Sequence, residues 1–487
     1  MTRILAIDQG TTNTKAVLFG DDLSVVDRAA VALVSDYPGD GWAEQSADAI
    51  WDSVVEAIAR VVARQGHDGI AGIAIANQRE TLVVWDARDG RPVGPAILWQ
   101  CRRTADACAA LAREGHGPEI LAATGLGLNP LFPASKLAWV LRHRPEARAL
   151  AEGGHLRAGT VDAWLIWRLT AGAEFATDHS NAARTQLFDT GTLGFSDRLC
   201  AIFGVPAGAL PAPRASDAGF GRTASGATAL PAGIPILAVM GDSHAALHGH
   251  GIDAPGQVKA TFGTGSSLMA LLPERAAPAE GLSGTVGWTA GGQTRHAVEG
   301  NITVSAQAAD FAARMLGIDD AAALADLART VPDAGGVTFV PALAGLGAPH
   351  WDDAARGVIA GLHLGSGRAH LARATFEAIA HQVADVFAAM ERQTGRPLEA
   401  LRVDGGASGN DWLMQLQADL LGRPVIRSDI AEIGARGVAA MALGALGIDP
   451  GPPPSGAHLH PRMEETDRLA ARESWRRAVA QARFRAG

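Results

Sequence analysis

Cysteine is scarce. The 487-residue chain has three, Cys101, Cys108 and Cys200, which form no CxxC pair and no disulfide framework, so a reducing, cytoplasmic setting is expected. No uninterrupted apolar stretch is long enough to cross a bilayer, which argues against integral membrane association. The opening run carries an acid by Asp8 and lacks the apolar core of a secretory signal. Basic runs are missing too, and a formal charge of -9 argues against a nucleic-acid partner held by phosphate contacts. Lysine is as scarce as cysteine: of 42 basic residues only Lys15, Lys136 and Lys259 are lysine. Arginine and lysine are not equivalent, so the retained lysines point to places where a compact ammonium is wanted.

What is present is a balanced globular composition, 47% hydrophobic and 19% charged. A chain this long divides into about two or three domains. Ile4 to Phe19 reads as strand, Gly/Thr turn, strand. A helix follows from about Ser46, with Ile50, Val54, Ile58, Val61 and Val62 recurring on one face. Strands are expected at 70–76 and 82–85, and helices at 99–113 and 134–150. Residues 205–235 have the Pro, Gly, Ala and Ser content of a linker. A strand from Ile236 then ends at Gly241-Asp242, and Val258 to Leu271 again reads strand, Gly/Thr turn, strand. The echo predicts two lobes on one plan: 1–250, 251–450, and then 451–487 as a linker and a terminal helix packed on the second lobe. Further helices are expected at about 303–316, 369–393 and 409–421, with a Pro/Gly-rich spacer from Pro450 to Pro461.

The chemistry-bearing residues cluster at the turns. After Asp8, the amides of Gly10, Thr11 and Thr12 can converge into an anion nest, with Lys15 just beyond. A carboxylate beside a phosphate cradle repels it unless a divalent cation lies between them. One such turn on its own reads as a hydrophilic bend. Gly263-Thr264-Gly265 repeats the device, however, and a third glycine turn, Val403 to Ser408, leads into a helix start suited to phosphate and ribose. Together these look like the core of the actin and sugar-kinase type of ATPase.

Longer motifs sharpen the resemblance. The segments are Asp8-Gln-Gly-Thr-Thr12, Asn77-Gln-Arg-Glu-Thr81, Trp99 to Arg103, Gly159 to Trp167, Gly241-Asp242, Gly263 to Gly265, Gly345 to Asp352, Gly357 to Leu362 with His370 to Glu377, and Arg402 to Gly406. From residue 4 to about 445 the chain resembles the FGGY carbohydrate kinases, and within them it is most similar to glycerol kinases. The resemblance implies an α/β, two-lobed actin-like ATPase (ribonuclease H-like) fold, with mixed sheets flanked by helices and a cleft between the lobes. It implies ATP and Mg2+, a small polyol as the acceptor, and a homodimer or homotetramer. By the same resemblance, Thr11, Thr12, Asn13, Lys15, Thr264, Gly406 and Asn410 serve the nucleotide, and Asp8 and Asp242 serve the metal.

A polyol asks for paired donors and acceptors and an apolar plate. Arg79 and Glu80 supply the first and Trp99 the second, with Asp242 and Ser243 beside them; for Trp99 a core position is the bland reading. Asp242 is the expected catalytic base, since a hydroxyl attacking a γ-phosphate must give up its proton. It could equally cap a helix over 243–249. His244, His248 and His250 include an i, i+4 pair, but no accompanying Glu makes a metal motif, and packing is expected.

Three positions depart from the glycerol kinase pattern. Leu131 stands where an aromatic hydroxyl is usual, Ser243 where Gln is, and Ser267 where Phe is. The pocket should therefore be roomier, so glycerol and a polyol about one or two CHOH units longer, which would displace water from it, both stand as candidate acceptors. Ala306 and Asp310 replace a usual Gly and Gln near the nucleotide and are left out of the site. Two alternatives stand beside a polyol kinase. A ketopentose kinase of the xylulose type is disfavoured by the Arg79-Glu80 loop, and a non-enzymatic actin-fold scaffold would need neither that loop nor Asp242.

Overall fold

In the computed structural model, which describes residues 2–279, 281–454 and 456–484, the first segment forms a hairpin. Strands Arg3–Gln9 and Asn13–Phe19 pair antiparallel, with Asp8 opposite Lys15. Val25–Ala32 extends the hairpin on one side. On the other, Ile70–Asn77 and then Ile236–Gly241 add in parallel. These inner strands are buried on both faces, which is why they read as nearly continuous apolar runs. Helix Ala47–Gln65 starts where Ser46 Oγ accepts the Ala49 N–H (3.2 Å) and lays Ile50, Val54, Ile58 and Val61 against the sheet.

The second sheet repeats the order. Gln257–Phe262 and Ser266–Leu271 form its hairpin, Gln293–Ile302 adds antiparallel, and Ala400–Asp404 and Val425–Ser428 add in parallel. Edge strands Ser283–Ala290 and Gly456–Leu459 complete seven. The long helix Arg368–Thr394 covers this sheet with Ile379, Val383, Val386, Phe387 and Met390. Two mixed sheets flanked by helices make the two-lobed, actin-like α/β fold.

In each lobe the last parallel strand runs into a helix, Asp242–Gly249 in one and Ile433–Ala445 in the other, and these two helices pack together. A Cβ at Gly249 would collide with the Ile433 carbonyl, and one at Gly437 with the Ala245 carbonyl. Glycine is required there because the two backbones touch.

Several local expectations are corrected. Residues 134–150 form two helices, Pro133–His143 and Pro145–Glu152, because Pro145 forces Arg144 out of helical geometry (φ -120°, ψ 101°). The helix expected from 99 begins at Ala105. The stretch before it is tied down instead, Leu98 N–H to the Ala43 carbonyl (3.1 Å) and Arg102 N–H to the Gly41 carbonyl (2.7 Å). The spacer Pro450 to Pro461 contributes the edge strand Gly456–Leu459, which pairs with Val425–Ser428. Helix Glu465–Arg483 follows, and its buried Trp475 donates Nε1–H to Asp385 Oδ2 (2.7 Å) on the long helix. Ser455 and residues 485–487 of that last segment lie outside the described residues.

Candidate active site

The Arg79-Glu80 loop, the expected acceptor loop, leaves the end of Ile70–Asn77. Glu80 is held at φ 60°, a left-handed conformation uncommon for a residue with a side chain. Lys136, fully buried, pins it there: Nζ donates to the Glu80 carbonyl (3.0 Å) and the Leu131 carbonyl (2.6 Å). Burial pushes the Lys136 ammonium down to about 7. The loop is also fixed to the first turn through Gln78 N–H to the Gln9 carbonyl (2.7 Å).

From this loop a chain of charges crosses the cleft. Arg79 Nε donates to Asp242 Oδ1 (3.1 Å), and its Nη2 lies 2.7 Å from Glu299 Oε1, on a strand of the second lobe. Glu299 Oε2 lies 2.7 Å from Arg184 Nη2, and Arg184 Nε donates to Glu80 Oε1 (2.6 Å). Burial raises the Glu299 carboxyl, but Arg184 and Arg79 outweigh it and hold the group well below the usual carboxylate range. Buried ion pairs seldom add net stability, so the value of this chain lies in fixing positions. Sequence reading missed both Glu299 and Arg184. The available signal was weak, an acid among the small and apolar residues of Ala297-Val-Glu-Gly300.

Asp242 is the first helical residue, with Gly241 in the N-cap position, so it does not cap 243–249 as one expectation had it. Its Oδ1 accepts the neighbouring Ser243 N–H (2.6 Å) together with Arg79. Burial raises the Asp242 carboxyl, and Arg79 opposes the shift. Although 42% of the side chain is exposed, the surrounding cleft still desolvates it. Ser243 Oγ donates to Ser267 Oγ (3.4 Å), which donates to Glu299 Oε1 (2.9 Å), so two of the departures from the glycerol kinase pattern join the charge chain. Leu131 is half-buried, its carbonyl on Lys136. Trp99 is half-exposed and donates Nε1–H to Thr11 Oγ1 (3.1 Å), joining the acceptor side to the first turn.

That turn closes through Gly10 N–H to the Asn13 carbonyl (2.9 Å), leaving Thr12 exposed and Thr11 and Asn13 half-buried. Burial pushes Asp8 up to about 6, Lys15 pulls it down, and Asp242 adds to the rise. Lys15 Nζ lies 4.0 Å from Asp8 and donates to Glu432 of the second lobe (2.7 Å). The opposite turn closes through Gly263 N–H to the Gly265 carbonyl (2.9 Å) and presents Thr264 to solvent. Gly405, at φ 90°, lies so close to the Phe262 backbone that a Cβ would sit 2.8 Å from its nitrogen, which joins the third glycine turn to the second. Gly406 is exposed and opens the 3-10 turn Gly406–Gly409. Asn410 then caps helix Asp411–Leu421, accepting the N–H groups of Trp412 and Leu413 (both 3.1 Å), so that helix starts two residues later than expected. Ala306 N–H bonds the Gly263 carbonyl (3.2 Å), and Asp310 points outward. The three histidines diverge: His244 meets Thr285 Oγ1 (3.3 Å), His248 the Gly437 carbonyl (3.1 Å) and His250 Asp404 (2.8 Å).

The arrangement thus gathers Arg79, Glu80, Asp242, Ser243 and Ser267 in one contact chain. It joins Trp99 to Thr11 and Asp8 to Lys15, and it places Thr264, Gly406 and Asn410 on the second lobe. Comparison with known proteins identifies the family. Residues 3–249 match the N-terminal domain, and residues 258–446 the C-terminal domain, of the FGGY family of carbohydrate kinases. The chain is 45% identical over 489 residues to an apulose kinase of Pectobacterium atrosepticum, covering 99% of this chain and 98% of that one. It is 44% identical over 496 residues to a glycerol kinase of Symbiobacterium thermophilum, with the same coverage. Its fold superimposes on Plasmodium falciparum glycerol kinase with ADP at a TM-score of 0.94 and 28% identity, over 100% and 99% of the two chains. Xylulose kinase from Rhodospirillum rubrum follows at 0.86 and 25%, over 98% of each.

Proposed function

The chain belongs to the FGGY family of carbohydrate kinases, ATP-using phosphotransferases with an alcohol acceptor, and from that premise we propose that it phosphorylates a terminal hydroxyl of a small polyol, glycerol or one slightly longer. The observation that carries the reading is the direct contact between the acceptor loop and the base: Arg79 bonds Asp242, and Glu80 reaches Arg79 through Arg184 and Glu299. Arg79 and Glu80 orient the polyol hydroxyls and Trp99 faces its C–H side. Asp242 takes the proton as the hydroxyl attacks the γ-phosphate. Thr11, Thr12, Asn13, Lys15 and Thr264 hold the phosphates, and Gly406 and Asn410 the adenosine.

The donor set fits a divalent cation. Asp8 and Asp242 sit in each other's field, and burial outweighs Lys15 at the first and Arg79 at the second, so a cation shared by the two carboxylates would be stabilised there. Among the described residues no three His, Cys, Asp or Glu side chains form a cage. One or two carboxylates suit Mg2+, which keeps water and phosphate oxygens as its other ligands. When bound, the cation supplies charge neutralisation at the transferring phosphoryl group.

A ketose acceptor is the second reading, favoured by the 45% identical apulose kinase. The hydroxyls of Ser243 and Ser267, where bulkier residues are usual, leave room and hydrogen bonds for a carbonyl or an added carbon. ADP release with glycerol, erythritol, ribitol, xylulose and apulose separates the readings. A polyol as the best substrate supports the first and a ketose the second; ADP release with none of the five overturns both. Ser267→Phe should retain glycerol turnover and lose the longer acceptors. We further propose a cytoplasmic enzyme of two or four copies, checked by sedimentation; no helix among the described residues is long and apolar enough to cross a membrane.

A further inference from the structure

We infer that the single-turn helix His179–Ala182 holds the acceptor loop and the general base in mutual register, with Ser180 and Asn181 as its positioning residues. The inference rests on the function proposed above. It starts from two neighbouring strand ends, Asn77 and Gly241, which pair in the first sheet and from which the Arg79-Glu80 loop and the Asp242 helix then diverge. The Gly241 peptide, immediately before Asp242, donates its N–H to Ser180 Oγ (3.0 Å), and Ser180 passes a hydrogen bond on to Asp178 Oδ1 (2.9 Å). Asn77, the last residue before the acceptor loop, exchanges two amide hydrogen bonds with Asn181, each 3.0 Å. Asn77 Nδ2 also donates to the Gln78 carbonyl (2.9 Å), so the Asn77–Asn181 pair reaches the loop backbone itself.

Both contacts spring from adjacent residues of one turn, and that turn is itself over-determined. Asp178 accepts the backbone N–H of Ser180 and of Asn181 (both 2.9 Å), the Asn181 side-chain amide (2.8 Å) and the Ser216 hydroxyl (2.8 Å). Asp178, Ser180, Asn181 and Asn77 are all fully buried, so none of them meets substrate in this structure; they act through Asp242 and through Arg79 and Glu80. Two residues beyond the helix, the same segment delivers Arg184 to Glu80 and Glu299. His179 Nδ1 lies 2.9 Å from Thr289 Oγ1 on an edge strand of the second lobe, so the turn is referenced to both lobes. The tolerance is narrow: a Cβ at Gly241 would sit 2.8 Å from Arg79 Cδ, so a shift of that peptide displaces the guanidinium that orients the acceptor. Reactive groups misplaced by about 1 Å lose up to about a hundredfold in rate.

Because the two contacts serve different partners, their loss separates in kinetics. Ser180→Ala should lower kcat about tenfold and leave the acceptor KM within about twofold. Asn181→Ala should raise the acceptor KM about tenfold, and neither variant should change the KM for ATP. The acceptor is whichever of the five compounds above the wild type turns over fastest, and Ser225→Ala, in an exposed loop, is the control. Amide hydrogen exchange adds a readout independent of turnover: the peptide spanning Gly241 should exchange faster in Ser180→Ala, and the one spanning 77–80 faster in Asn181→Ala. A merely structural role would reduce the active fraction and leave both KM values and both peptides unchanged. That result, or a Ser180→Ala protein with wild-type kcat and exchange, overturns the inference. If Ser180→Ala does not fold, Ser180→Cys is read by the same criteria. A wild type inert on all five acceptors would sink the proposed function, and the exchange measurements would still decide this inference.

Discussion

The two glycine–threonine hairpins share a backbone plan and differ in charge. One step before the closing pair, the first lobe places Asp8 opposite Lys15, and at the same register position the second places Thr261 opposite Ser267. At this register position the first hairpin therefore carries an ion pair and the second two hydroxyls. The connections diverge as well. Between its two parallel strands the second lobe has a 3-10 turn and the helix Asp411–Leu421, whereas the first inserts residues 78–235, which bring Arg79, Glu80, Trp99 and Arg184. A repeated scaffold supplies two turns, and side chains and one insertion make the two lobes differ.

The largest test of this division is Asp242→Asn. Phosphoryl transfer should fall about a thousandfold or more while ATP still binds, measured by ADP release and calorimetry. Next is Glu299→Gln, the one charge the second lobe contributes to the acceptor chain. Leaving Arg79 and Arg184 short of a buried partner should cost about 3 kcal/mol of stability, read by denaturant unfolding, and acceptor affinity with it. An unchanged variant would mean that the first lobe holds the acceptor unaided. Third, at limiting Mg2+ activity should decline as pH falls below about 6, roughly tenfold per unit, and excess Mg2+ should restore it, because a proton on metal-free Asp8 competes with the cation. The ligand-free protein should trend the other way. A carboxyl raised by folding binds its proton more tightly than in the unfolded chain, so its contribution to stability is lost as pH rises from about 4 to about 6. The smallest effect is expected from Thr264→Ala, about fivefold in the KM for ATP with kcat retained, since a neutral hydroxyl on the second turn contributes about 1 kcal/mol.

What could be read along the chain was whatever is local. Both hairpins, the Ser46 cap and the strand end before Asp242 announce themselves within a few residues, and Arg79 and Glu80 stand out as charges at the end of an apolar strand. What escaped depends on partners far away in sequence. Glu299 becomes informative only when Arg79 and Arg184 arrive from the other lobe, and Asp178 only when strand ends at 77 and 241 converge on it. Gly456–Leu459 is a strand because Val425–Ser428 offers an edge, a fact no proline-rich spacer can reveal. The break at Arg144 was legible and overlooked, since the proline rule alone predicts it.

The scarcity of lysine has a practical sequel. Lys136 and Lys259 are fully buried, and only 29% of the Lys15 side chain meets solvent, beside Asp8 at the mouth of the first turn. An amine-reactive reagent therefore finds one lysine target on the folded protein, and Asp8 and Glu432 hold that target in its protonated, less reactive form. Coupling the protein to a bead through surface lysines becomes impracticable.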